Sequence, residues 1–166
     1  MGVSARAHPL PHRAFTLVEV LIVVILLGIL AAIAVPQVAN AAYESKVSAV
    51  LQDLRRIRSQ IQLYRAQHND TYPGREFVDQ MTKYTNVDGE VSDTRDEEFC
   101  LGPYLDRIPP NPISGDERVR VQGGLRRPYR APRRDRGWWY NFRRGEFRAD
   151  LSDEWTDSEG VPLNQR

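Results

Sequence analysis

The chain has 166 residues, with 23 Lys and Arg against 22 Asp and Glu, for a net charge of +1. So near-neutral a balance singles out no partner for the chain as a whole, and a single cysteine, Cys100, excludes an intramolecular disulfide. Three histidines leave little material for metal or acid–base chemistry, and no phosphate-cradling glycine motif or zinc-ligand spacing is present.

Residues 1–14, MGVSARAHPLPHRA, carry Arg6 and Arg13 and no acid. Phe15 to Val35 then reads FTLVEVLIVVILLGILAAIAV, 21 residues in which Thr16 and Glu19 are the only polar side chains. As a helix it measures about 31 Å, the hydrocarbon thickness of a bilayer. Positive charge on the short leading flank predicts a cytoplasmic amino terminus and an exported remainder. Three fates fit such a segment: an intact signal-anchor helix, a secretory signal cut after Ala32-Ile33-Ala34, or a prepilin-type signal cut before Phe15. Glu19 bears on the choice. A carboxylate in a membrane helix costs about 2.5–3.5 kcal/mol on insertion scales and is kept for a partner or a task. The bland alternative is that Glu19, about 6 Å inside the helix start, snorkels to the interface.

Ala14-Phe15-Thr16-Leu17-Val18-Glu19-Val20-Leu21 resembles the prepilin peptidase motif of type IV pilins and type II secretion pseudopilins. Glu19 is the fifth residue counted from Phe15, and Gly28 and Pro36 fall where pilins often carry glycine and proline. Ala14 stands where the family usually has glycine. The resemblance implies cleavage between Ala14 and Phe15, methylation of the new amine, and pairing of Glu19 with a neighbouring subunit's amine inside an apolar bundle. Burying two opposite charges together removes the cost of burying either alone. It also implies that Gly28 and Pro36 bracket a stretch of weakened helix, since glycine costs about 1 kcal/mol in a helix interior and proline removes a backbone donor. The alternatives are that Gly28 permits close helix packing and Pro36 merely kinks the chain.

Residues 37–68 continue a helical pattern. Val47, Val50, Leu51, Leu54, Ile57, Ile61 and Tyr64 recur at three- and four-residue spacings, with Arg55, Arg56, Arg58, Gln60 and Gln62 largely off that stripe. Pro73-Gly74 ends the stem. The head, 69–166, begins with Phe77, Val78, Met81 and Tyr84, which suggest a short helix, and Asn86-Val87-Asp88-Gly89 reads as a turn. A proline-stiffened connection follows over 101–112, then a glycine- and proline-rich loop over 114–137. Trp138 to Phe142 and Glu146 to Leu151, around Arg143-Arg144-Gly145, predict a β-hairpin over 138–151. Trp138, Tyr140 and Phe142 share a face by the two-residue period and read as core. The expected fold class is α+β: a long amino-terminal helix, membrane half plus amphipathic half, packed on a small antiparallel β-sheet head. The layout after Tyr104 resembles the major pseudopilins of type II secretion.

Eleven arginines stand against Asp135 and Glu146 between residues 118 and 148. Arg126, Arg127, Arg130, Arg133 and Arg134 are candidate anion or nucleic-acid contacts, with Tyr129 or Trp139 available to stack on bases. A solvated loop facing an acidic neighbour explains the same residues, and nucleic acid is the less favoured partner. In the acidic tail, Asp150, Asp153 and Asp157 are candidate calcium ligands, because the resembled family binds calcium in a carboxy-terminal loop; a solvated tail paired with the arginines is the alternative. No other cofactor is expected, the metal question stays open, and Cys100 with His68 makes a poor catalytic pair lacking a third member. The expected function is therefore structural rather than enzymatic. The chain reads as a pseudopilin of a type II secretion filament, single-pass in the inner membrane with a periplasmic head. Its implied partners are other copies of itself, minor pseudopilins, a prepilin peptidase and an inner-membrane assembly platform. The alternatives are a type IV pilin for adhesion or DNA uptake and a non-polymerising anchored protein.

Overall fold

The computed structural model describes residues 16–124 and 128–166. Ala14, Phe15, Arg126 and Arg127 lie outside the described residues. The chain divides into two units, residues 1–41 and 42–166. One helix, α1 (Leu17–Gln67), contributes to both.

In the first unit the backbone stays helical through Gly28 and Pro36. The apolar side chains from Leu17 to Val35 whose placement is described are exposed, and among the large ones even the least exposed, Val23, is 49% open. A helix apolar all round is a membrane span or a buried element. This one is long and apolar enough to cross a membrane.

The second unit is built on the other half of α1. Val47, Val50, Leu54, Ile57, Ile61 and Tyr64 are all buried. Their alternating spacings of three and four place them on one seam of the helix. They pack in one cluster with Phe77 and Met81 of α2 (Phe77–Thr82) and with Trp138, Tyr140, Phe147 and Ala149. His68 continues the seam. Its ring stacks on Tyr64 with centroids 3.6 Å apart, and its two nitrogens lie 2.7 Å from the Tyr64 carbonyl and 3.0 Å from Thr85 Oγ1.

A two-stranded antiparallel ribbon, β1 (Tyr84–Thr85) with β2 (Val91–Ser92), closes through the Asn86–Gly89 turn. The main sheet has the order β3 (Val119–Gln122), β4 (Trp138–Asn141), β5 (Glu146–Ala149). β4 and β5 form the expected antiparallel hairpin. β3, however, pairs with β4 in parallel, so the sheet is mixed rather than antiparallel. The reason is the connection. Parallel neighbours need a crossover of about a dozen residues or more, and residues 123–137 supply it. The stretch 114–137, read as a loop, thus contains a strand. Gly137 is required where β3 and β4 begin side by side: a Cβ there would lie 2.5 Å from the Arg118 carbonyl.

All four residues of β4 are buried, so both faces of the sheet are covered. Trp138 and Tyr140 face the helix cluster, while Phe142 is only partly buried at its margin. On the opposite face Trp139 meets Tyr129 edge-on, centroids 5.2 Å apart, and donates its indole N–H to Gln122 Oε1. Tyr129 and Trp139 therefore pack on each other instead of standing free for bases.

Burial holds the His68 imidazole below its ordinary pKa. The folded state thus favours neutral His68. Its contribution is complete above the unfolded value of about 6.5 and is lost as pH falls from there toward the folded value. We expect the melting temperature of the full chain in detergent to fall on acidification from pH 7 to 5. The underlying loss of unfolding free energy should not exceed about 1.4 kcal/mol per pH unit for this one group, and the fall in melting temperature should be shallower in His68→Gln. Identical pH profiles for the two proteins would overturn this assignment.

Candidate functional site

Two regions carry the candidate residues. The first is the start of α1. Thr16 Oγ1 accepts the Glu19 backbone N–H at 3.2 Å, and the Thr16 carbonyl accepts it at 3.1 Å. Thr16-Leu17-Val18-Glu19 is a Thr-x-x-Glu start, in which the hydroxyl caps the first turn and the acid sits by the positive helix end. Glu19 is exposed, on a helix whose surrounding side chains are apolar. The segment thus presents one carboxylate on an otherwise apolar surface, which suits an opposite charge arriving with another apolar helix.

The second region is the layer over the outer face of the sheet. Asp150 is fully buried. Arg120 of β3 reaches it with two N–H groups, Nε to Oδ2 at 2.9 Å and Nη2 to Oδ1 at 2.6 Å. Tyr129 donates its hydroxyl to Oδ1 at 3.2 Å. The paired carboxylate raises the Arg120 pKa, and burial raises that of Tyr129. This clasp ties the strand before the crossover to the residue after β5, with Tyr129 of the crossover between them. Sequence reasoning missed the Arg120–Asp150 pair because its members stand thirty residues apart. The alternative of an acidic tail paired with the arginines anticipated the kind of contact but did not single out Arg120, the one arginine of β3.

The three candidate calcium ligands are not brought together. Asp150 belongs to Arg120, Asp153 Oδ1 accepts Asn164 Nδ2 at 2.8 Å, and Asp157 pairs with Arg166 while accepting the N–H groups of Glu159 and Val161. Among the described residues no group of three or more His, Cys, Asp or Glu is placed to hold a metal ion. Guanidinium and amide donors occupy these carboxylates, a donor set that does not fit a cage of oxygen ligands.

Arg58, which the helical pattern put off the apolar stripe, turns inward. It donates Nε and Nη2 to the Phe147 carbonyl of β5 at 3.0 and 2.8 Å. Burial and the neighbouring Arg148 lower its pKa. Arg118, Arg144 and Arg148 are paired with Asp116 or Glu146. Arg130, Arg133, Arg134, Arg136 and Arg143 are exposed and make no ion pair among the described residues. Cys100 is exposed, whereas both nitrogens of buried His68 are engaged elsewhere.

Removing one partner of a buried ion pair leaves an uncompensated charge, at a cost of about 3–5 kcal/mol. Arg120 is one-third exposed, which puts it at the low end of that range. We expect Arg120→Ala to destabilise the head by about 3 kcal/mol, and Arg120→Ala with Asp150→Asn to recover part of the loss. Near-UV circular dichroism of the tryptophans during thermal unfolding reads both; additive losses would show that the pair is not coupled.

Residues 11–35 match the prokaryotic N-terminal methylation motif. The chain is 39% identical over 62 residues to the type II secretion system core protein G of Pseudomonas aeruginosa, covering 37% of this chain and 43% of that protein. To the type II secretion system core protein G of Klebsiella pneumoniae it is 26% identical over 112 residues, covering 68% of this chain and 76% of that one. To the type IV major fimbrial protein FimA of Dichelobacter nodosus it is 46% identical over 51 residues, covering 31% of this chain and 33% of that protein. The chain thus spans less than half the length of the Pseudomonas and Dichelobacter relatives that it matches. No solved structure matches. The amino-terminal segment thus carries a prokaryotic methylation motif, and the chain is similar to type II secretion core protein G and to a type IV major fimbrial protein.

Proposed function

We propose that the chain is a pseudopilin, a subunit of an inner-membrane-based periplasmic filament of a type II secretion system. The observation that carries this reading is Glu19, a single carboxylate on an exposed apolar helix, five residues into a methylation-type motif counted from Phe15. A prepilin peptidase cuts before Phe15, and the apolar half of α1 then holds the subunit in the inner membrane with its head in the periplasm. On assembly, the Phe15 amine of one subunit meets Glu19 of another. Wrong register would bury both charges unpaired, so the pair fixes the stagger between subunits. Minor pseudopilins and an assembly platform are the further partners. The likeness to core protein G, which reaches beyond the amino-terminal segment, supports this choice.

The likeness to FimA favours a second reading, a type IV pilin whose unpaired arginines contact surfaces or DNA. DNA binding that declines steeply with salt and is lost on changing Arg130, Arg133 and Arg134 would favour it over the first.

The mature amino terminus and the effect of Glu19 test the leading reading. Mass spectrometry of the membrane-extracted protein should find a methylated Phe15 terminus. An intact leader or a terminus at Val35 would sink the proposal. Glu19→Val should leave the amount of membrane protein unchanged but lower sedimentable filaments by roughly tenfold or more, a factor that corresponds to about 1.4 kcal/mol. Undiminished filaments would remove Glu19 from assembly.

A further inference from the structure

The head carries a second strongly charged surface besides the arginines. Residues 88–98 hold six acids, Asp88, Glu90, Asp93, Asp96, Glu97 and Glu98, against Arg95 alone, and all seven are exposed. They flank the β1–β2 ribbon. Residues 130–136 hold four exposed arginines against Asp135. Asp135 forms an ion pair with none of them among the described residues, its two oxygens accepting the Ser152 N–H and the Trp155 indole N–H, and the segment keeps a net positive charge. Within one copy, among the described residues, no ion pair joins the acidic segment to the arginine segment. Of the six acids only Asp93 is in an ion pair among those residues, with Lys83.

We infer that the arginine segment 130–136 of one copy docks on the acidic segment 88–98 of the next. This deepens the filament reading and rests on it. Segregated opposite charges on a nearly neutral chain are complementary to a second copy at both patches, whereas an anion such as DNA is attracted by the arginines alone and repelled by the acidic segment. Two different complementary patches make a heterologous contact, in which each copy donates one patch and accepts on the other. Unless its rotation closes a ring, such a contact propagates into an open helical array. Each exposed pair contributes little, so the contact acts through the number of charges and weakens with salt. It selects and orients neighbours rather than holding the filament together.

Cys100 provides the probe, because it is the chain's sole cysteine, is exposed and lies next to the acidic segment. The full-length chain with Ala131→Cys, expressed in its host membrane, is treated with a short bismaleimide. We expect a ladder of cross-linked species beyond the dimer, whereas the unaltered chain stops at the Cys100–Cys100 dimer. Asp88→Lys with Glu97→Lys and Glu98→Lys, added to Ala131→Cys, should abolish species above the dimer. So should Arg130→Glu with Arg133→Glu and Arg134→Glu, and joining the two sets should restore the ladder. Filaments imaged in the same samples separate the two levels. If filaments form without a ladder, or with a ladder indifferent to the reversals, this contact is wrong and the filament reading stands. The contact is equally wrong if the arginine changes spare the ladder but remove salt-sensitive binding of duplex DNA. If the unaltered chain forms no filaments, both readings fall together.

Discussion

The head depends on one seam of side chains meeting one strand. Val47, Val50, Leu54, Ile57, Ile61 and Tyr64 come from a single helix face, and Trp138 and Tyr140 stand opposite them. Burying a large aromatic is worth several kcal/mol, because truncating one to alanine costs about 3–5 kcal/mol through lost transfer and the cavity left behind. Phe77 lies 4.1 Å from Tyr140 and 5.6 Å from Phe147, ring centre to ring centre, so α2 joins the same aromatic layer. With that layer set, the polar ends of its rings have fixed addresses: the Tyr140 hydroxyl donates to the Pro73 carbonyl, and the Trp138 indole donates to the Pro109 carbonyl. The two irregular connections are thereby pinned to the core without secondary structure of their own.

The other face of β4 explains the arginines on the strands beside it, Arg120 of β3 and Arg148 of β5. A strand buried on both sides needs a second cover, and among the described residues no helix provides one here. The cover is Tyr129, held by the Arg120–Asp150 clasp beneath it. Arg120 and Arg148 both place their guanidinium groups about 5.8 Å from the Tyr129 ring centre, where the ring face attracts a cation. Part of the positive charge is therefore structural, consumed in holding the loop down. The arginines of the crossover itself, on residues 130–136, are left facing outward.

How much of this was legible in the sequence follows from how local each signal is. The amino-terminal segment was readable because its motif is contiguous. The helix seam was readable because its period repeats over five turns. His68 obeys the same period, but a polar side chain does not announce itself as part of an apolar seam. β3 was not readable. Val119 and Val121 alternate with Arg120 and Gln122, but four residues among glycines and arginines read equally well as loop. Nothing local announces a parallel partner that lies beyond a crossover. Arg58 misled for a different reason: its charge suggests solvent, while its long stem lets the guanidinium reach a strand carbonyl. The carboxylates of the tail had the composition of a cation site, but composition carries no information on which arginine arrives first.

The inward turn of Arg58 bears on how crowded copies avoid the wrong contact. A strand at a sheet's edge offers unpaired backbone groups that another chain can extend by β-addition, the usual route to irreversible aggregation. On β5 the Phe147 carbonyl already accepts Arg58, and Arg148 reaches over to the Asn164 carbonyl of the carboxy-terminal turn. Arg58 thus occupies one backbone acceptor of that edge, and Arg148 ties the carboxy-terminal turn to the strand. Copies that meet along this side find a backbone acceptor already occupied, which disfavours joining one sheet to the next there.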